Sequence, residues 1–404
     1  MTPRTPQKEE QSSAQASSEG PLLLVVHFAE VKDPRRHQHK VEYPLPLLLL
    51  IVVGGMLSGF KSWEEFADFA EEKREWLKGL VPYEAEGTPS ADTLKRVFER
   101  LEPEAFQECL EKWAREVATQ LGPQGVGEGP SHVALDGKSL SGARVPGAPT
   151  SPLHLLHAYC VDEQLLLGLE RAAGAPGEPE AALQVLRLLE VRGTVVTADA
   201  NLMTKKVADT LVQRQGHYLL ALRGNRGPQH AEVEKGVRER LGEVGQTPRE
   251  AAPVHTSEDG HGRHEERQAW AFAAHAFPTL THYLPHAQAV LCLERLRQVT
   301  GQKPCVERAF YVSDLPPDAH ALAARVRAHW EVENQLHRAL DVLLHEDAVQ
   351  VRSGPAALNL AVARRFVLAL LRRDALRKGS LASKMRHASL NDSYRTHFFS
   401  LLNS

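Results

Sequence analysis

The order of short apolar runs between residues 132 and 222 constrains the fold of this chain more than any other feature. His132–Leu135, Leu153–Val161 and Gln164–Arg171 read as strands, the last two joined by a turn at Asp162-Glu163. A helical stretch at 179–190 leads into the strand Thr194–Ala198, and a helix at 204–215 and a strand at 217–222 follow. The order β-β-β-α-β-α-β predicts an α/β architecture with a mixed sheet. Two of the runs stop on an acid, Asp136 after Leu135 and Asp199 after Ala198. Strand ends at the carboxyl edge of such a sheet are where α/β proteins gather functional groups.

Around this core the chain divides further. Residues 1–20 are rich in Ser, Gln, Pro and Glu and predict a disordered tail. Residues 21–125 hold helical patterns at Leu45–Leu57, Trp63–Trp76, Thr93–Leu101 and Ala105–Val117, with Ser90 or Asp92 placed to cap the third. A Gly-rich hinge, Gly122–Gly129, precedes the α/β core, assigned to 130–225 and 308–350. Between its two parts, 226–307 reads as a β-rich insertion, and 351–404 as a basic helical segment. With 404 residues, 42% hydrophobic and 25% charged, the chain can form two to three domains with ordinary cores. Its four scattered cysteines form no CxxC pair, which predicts a reducing cytoplasm and no structural zinc. Leu45–Leu57 falls short of the roughly 20 apolar residues that cross a bilayer, so a buried helix and no membrane partner are expected.

A helix at 317–345 supplies what the two aspartates lack. Val326, Trp330, Leu336, Leu340 and Leu344 predict its packing face, while His329, Glu333, His337 and Asp341 recur every four residues as a polar stripe. Two close carboxylates repel unless a divalent cation lies between them, and hard oxygen ligands select Mg²⁺ or Mn²⁺. Glu333 as a third acid would complete a site for two ions, suited to in-line phosphoryl transfer. Alternatives remain open. Asp136 and Asp199 could merely cap a turn and a helix, and His-x3-Glu-x3-His could present zinc ligands, although it lacks the His-Glu-x-x-His spacing of zinc proteases.

Charge adds a second theme that the net value of −3 conceals. Residues 352–395 hold ten Lys or Arg against Asp374 and Asp392. With Leu358, Val362, Phe366 and Leu370 packed, Arg364, Arg365, Arg372 and Arg373 would face outward and bind a duplex in a salt-dependent way. The linker Asp33–Lys40 is either a solvated loop or a nucleic-acid contact. In Asp259–Arg267, Arg263 beside glycine suits a phosphate, with His261 alongside, or the loop is simply solvated. Trp270 reads as core, with base stacking as the sharper option.

These residues together resemble a known family. Asp136-Gly137-Lys138-Ser139-Leu140-Ser141-Gly142, Val196-Thr197-Ala198-Asp199-Ala200, Tyr218–Asn225, Gly260-His261-Gly262-Arg263 and His329–His337, followed by Leu340-Asp341-Val342 and Glu346-Asp347, are similar to the ISAs1-type transposases. That family, with its H-repeat-associated relatives, lies within the IS4-like DDE group. Asp33-Pro34-Arg35, Gly59–Trp63 and Pro89–Thr93 resemble the helical domain that precedes its catalytic core. The resemblance implies an RNase H-like core in which Asp136, Asp199 and Glu333 bind two Mg²⁺ (or Mn²⁺) ions. It also implies DNA contacts from Lys138, Arg223, Asn225, His261, Arg263, His329, Asn334 and His337. The substrate would be double-stranded DNA at the terminal inverted repeats and the target, engaged by a homodimer in the nucleoid. The chain departs from the family in having Gly174–Glu180 in place of a Lys-Ser-Asn-Glu-like element, and Arg338 where an aromatic is common. An alternative reading is a catalytically impaired or domesticated relative that only binds DNA.

Overall fold

The computed structural model describes residues 23–36, 41–121, 131–144, 152–162, 164–224, 227–242, 253–260, 263–299, 305–348, 351 and 354–399. The expected tail and the Gly122–Gly129 hinge lie outside the described residues.

Six helices come first: α1 (Leu23–Glu30), α2 (Leu45–Leu57), α3 (Trp63–Glu72), α4 (Arg74–Leu80), α5 (Ala91–Phe98) and α6 (Pro103–Leu121). Apolar on every side, α2 is buried along nearly its whole length, as its composition demands. Gly55 lets α3 approach, since a Cβ there would stand 2.7 Å from Phe66. A Ser62–Glu65 capping box starts α3, and the Ser90 side chain accepts from the Thr93 N–H to start α5.

The last three helices, α13 (Gly354–Arg373), α14 (Leu381–Leu390) and α15 (Asp392–Phe399), close on the first six instead of standing apart. Trp113 packs on Phe366 at 4.7 Å, and the Trp76 indole N–H donates to Thr396 at 2.8 Å. Amino- and carboxy-terminal segments therefore share one core, which also takes in one face of the first strands. By length and composition α13 could cross a membrane, but 78% of its apolar window is buried in the fold, as in a core helix.

The sheet has nine strands in the order β3-β2-β1-β4-β5-β9-β8-β7-β6. Its first half is β1 (His132–Arg144), β2 (Pro152–Cys160), β3 (Leu165–Ala172), β4 (Val195–Ala198) and β5 (His217–Leu222). The first three run antiparallel, and β4 and β5 continue parallel to β1. Helices α7 (Glu178–Leu188) and α8 (Lys205–Gln213) make the crossovers. This order, with β1 central among five strands, is the RNase H-like core, a mixed α/β sheet.

The stretch expected as a β-rich insertion opens with a helix, α9 (Pro228–Leu241), before β6 (Val254–Gly260), β7 (Arg263–Ala273), the short α10 (Pro278–Tyr283) and β8 (Ala289–Val299). It prolongs the sheet: β9 (Cys305–Ser313) pairs antiparallel with β5 on one side and with β8 on the other. Trp270 is buried in that layer's core.

Candidate active site

Asp136 does not end its strand. β1 continues to Arg144, and Asp136 pairs with His157 of β2. What stops beside it is β4, whose parallel pairing with β1 ends at Leu135↔Ala198, so Asp136 and Asp199 are the next residues on adjacent strands. A strand-end signal in the sequence thus marks the end of a neighbour's ladder.

The third acid arrives on α11 (Ala319–Val332), which passes into a π-helical turn, Glu333–His337, and then α12 (Arg338–Leu343). The π turn changes the helix's neighbours. Leu322 and Val326 pack on the sheet's central strands, whereas Val332, Leu336, Leu340 and Leu344 join the core of the terminal helices. Trp330, expected on the packing face, is instead 52% exposed. It stands four residues beyond Val326 on the unbroken α11, but a cavity also lined by Arg223 and Tyr311 opens beside it, and the six residues to Leu336, at about 100° each, put those two side chains on different faces. The Arg372 guanidinium donates to the Gln335 carbonyl within this turn and to the Tyr159 hydroxyl, tying α13 to it.

Ligand atoms of Asp136, Glu333 and His337 lie within 4.8 Å of one another. His337 Nδ1 is 3.0 Å from Glu333 Oε2 and 3.5 Å from Asp136 Oδ2. Burial, with the Glu333 and Asp199 charges adding to it, pushes the Asp136 carboxyl up to about 7. Burial raises Asp199 too, although its Oδ1 accepts the Asn201 N–H at 2.8 Å. Among the described residues no Lys or Arg forms an ion pair with Asp136, Asp199 or Glu333. Repelling carboxylates without a cationic side chain fit a divalent ion.

Buried groups brace this cluster. The Arg365 Nε–H donates to His157 Nε2 at 2.8 Å, which fixes His157 as the Nδ1–H donor to the Asp136 carbonyl at 3.2 Å. Arg365 also bridges Glu346 at 2.6 Å, both nearly inaccessible. On the other side of β1, Glu178 is 6% exposed, accepts from Asn201 Nδ2 at 3.2 Å and sits 2.6 Å from His154 Nε2, whose Nδ1 meets Ser139. Gly137 is required here, because a Cβ would collide with the Glu178 carboxylate. Glu178, His154 and His157 are not among the site residues expected from the sequence. The detectable signal was an acid in the first turn of the helix after β3, inside the very segment that departs from the family pattern.

The expected DNA contacts fare unequally. Arg223 is exposed just past β5 and lines two adjoining cavities, one of about 680 Å³ that includes Glu333 and one of about 380 Å³ that includes Asp199; Trp330 lines both. Arg364 and Arg365 face inward, at 4% and 2% exposure; Glu346 and His157 hold Arg365, while Arg364 lies near the Glu346 and Asp347 charges with its Nη2 buried and without a hydrogen-bond partner. Arg372 and Arg373 are half-buried. Lys138 is buried in an ion pair with Asp341 at 2.7 Å. His329 bonds Thr197 at 2.8 Å, with burial lowering it to about 4. His337 belongs to the acid cluster. Asn225, His261 and the side chains of Arg263 and Asn334 lie outside the described residues. In the Asp33–Lys40 linker, Asp33 and Arg35 pair with each other.

A sheet of this order, with acids gathered where β4 ends beside β1, is the arrangement expected of the DDE class of DNA-processing proteins. Residues 127–371 match the Transposase DDE domain family and 25–114 match the DDE_Tnp_1-associated family. The chain belongs to the Transposase DDE domain family and is a DDE transposase of IS4-like type. Over 377 residues it is 27% identical to the "H repeat-associated putative transposase YhhI" of Escherichia coli (strain K12), spanning 92% of this chain and 96% of that protein. It is 29% identical over 389 residues to "Putative transposase YncI" of Escherichia coli O157:H7, covering 92% and 93%. A cryo-EM structure of the piggyBac transposase synaptic complex with hairpin DNA aligns with 94% of this chain and 80% of its own, at 12% identity and a TM-score of 0.46.

Proposed function

We propose that this transposase cuts and rejoins DNA at the ends of an insertion sequence with Asp136, Asp199 and Glu333 holding two divalent ions, Mg²⁺ or Mn²⁺. The observation behind this is the Asp136 carboxyl, buried and pressed by Glu333 and Asp199, with no Lys or Arg among the described residues paired to it. Such ions activate a water or a 3′-hydroxyl and stabilise the departing oxygen of a phosphodiester. The protein's own part is to orient the carboxylates. The His157 N–H holds the Asp136 backbone, the Asn201 N–H holds Asp199, and the π turn aims Glu333. Arg223, exposed at the mouth of both cavities, is placed for a phosphate, and Trp330 offers a face to a base. Two DNA ends joined to one target call for a homodimer on DNA, acting at the nucleoid.

The test is strand cleavage and transfer on duplexes ending in the element's inverted repeats. Asp136→Asn, Asp199→Asn and Glu333→Gln should each fold and bind DNA but cleave none. Full cleavage by any of the three would refute the assignment.

A further inference from the structure

The three histidines beside Asp136 differ in what their ring nitrogens do. His154 is bonded at both, to Ser139 and Glu178, and His157 at both, to Arg365 and the Asp136 carbonyl. His337 is not. Its Nδ1 faces Glu333 and Asp136, while its Nε2 is buried without a hydrogen-bond partner. The side chain itself is 4% exposed. With no ion present the Glu333 carboxylate, which can only accept, holds the proton on Nδ1; a cation between the carboxylates favours the other tautomer, with the proton on Nε2 and the Nδ1 lone pair turned to the ion. Nδ1 and the two carboxylates meet the spacing of a common ligand set, within 4.8 Å.

We infer that His337 Nδ1 is a ligand to the ion shared by Asp136 and Glu333, making one of the two positions a mixed nitrogen–oxygen site that favours a first-row transition ion over Mg²⁺. The inference rests on the proposal that Asp136 and Glu333 hold a divalent cation. Mg²⁺ prefers oxygen donors and gives up water reluctantly, whereas an imidazole adds to the affinity of every member of the transition series. Mn²⁺ stands lowest in that series, so it is the most demanding probe. His337 is rigidly supplied for the role. It sits one helical step beyond Glu333 in the π turn, over the His157 ring at 5.4 Å, in a wall that Arg365 and Glu346 hold in place.

The experiment uses the full chain stripped of metal and titrated with Mn²⁺, followed by electron paramagnetic resonance. Electron spin-echo modulation should show one directly coupled ¹⁴N, replaced by a ¹⁵N pattern when histidine is isotopically labelled; this needs no variant. In His337→Gln the coupling should vanish and Mn²⁺ affinity fall by at least about tenfold, the low end of what even an outer partner's loss costs. Mg²⁺ affinity, read by competition, should change by less than that. Mn²⁺ bound in a manner that Asp136→Asn abolishes, yet without nitrogen coupling, would overturn the His337 ligand while leaving the carboxylate site intact. Absence of any bound Mn²⁺ would overturn both.

Discussion

Asp136→Asn should make the metal-free protein more stable at alkaline pH, although it removes a residue proposed as essential. A folded-state carboxyl at about 7 against an ordinary 3.8 means that the native chain keeps a proton the unfolded chain has released. The sign follows. Below pH 3.8 the group is protonated in both states and has no effect; as pH rises toward 7 the native state loses stability, and above 7 the loss is complete. Three units at ~1.4 kcal/mol each set a ceiling of ~4 kcal/mol. The Asp136 side chain keeps 26% of its surface, so solvent reduces this to roughly 2 kcal/mol. Asparagine mimics the protonated form at every pH. In EDTA, thermal unfolding of wild type and variant should therefore coincide near pH 4 and diverge by roughly 3–6 °C at pH 8.5, in favour of the variant. Adding Mg²⁺ or Mn²⁺ should raise the wild type and leave the variant unchanged. A variant no more stable than wild type at pH 8.5, or a gap that does not vary with pH, would show that Asp136 is not held against its neighbours' charge.

Other perturbations test the surrounding structure. Arg365→Met leaves the Glu346 carboxylate buried without its partner and should cost ~3–5 kcal/mol in denaturant unfolding, whereas Arg365→Met with Glu346→Leu should regain most of it. Trp330→Ala should move the unfolding midpoint little, since about half of the residue is in solvent and the rest lines cavities, yet weaken binding of single-stranded DNA by ~1–3 kcal/mol in a fluorescence titration. Leu340→Ala, fully buried ten residues on, should cost ~2–5 kcal/mol of stability. Gly137→Ala should displace Glu178 and lower both stability and cleavage, and exchange-protection measurements should locate the change at the start of α7.

The seven-element core was legible because each strand's burial shows in its own residues. Val195–Ala198 is buried at every position, and its apolar run says so. The nearness of Asp199 and Glu333 to Asp136 was legible too, Asp199 as the acid that ends an apolar run and Glu333 in a polar stripe repeating every four residues, while their role remains the proposal made above. The failures share a cause in partners distant along the chain. Arg365 looks like a surface base until Glu346 and His157 are known to surround it. Trp330 looks like a core residue because it follows Val326 by four, and only the folded chain shows that cavities lie against its ring. Glu178 gave its signal only as an acid at a helix start, the commonest place for a merely capping one.

The π turn at Glu333–His337 gives the helix slack. Each residue of a regular α-helix turns by about 100°, and the π turn absorbs one residue more than a straight helix would carry, so that α11 and α12 keep their phase across it. Removing one residue from the turn should therefore restore regular geometry with both flanks in place. Removing one from α11 or α12 has no such slack and swings everything beyond it by about 100°, which takes either Leu340 out of the terminal-helix core or Glu333 away from Asp136. Chains that share this architecture are expected to vary in length within Glu333–His337 and to differ along α11 and α12 by replacement.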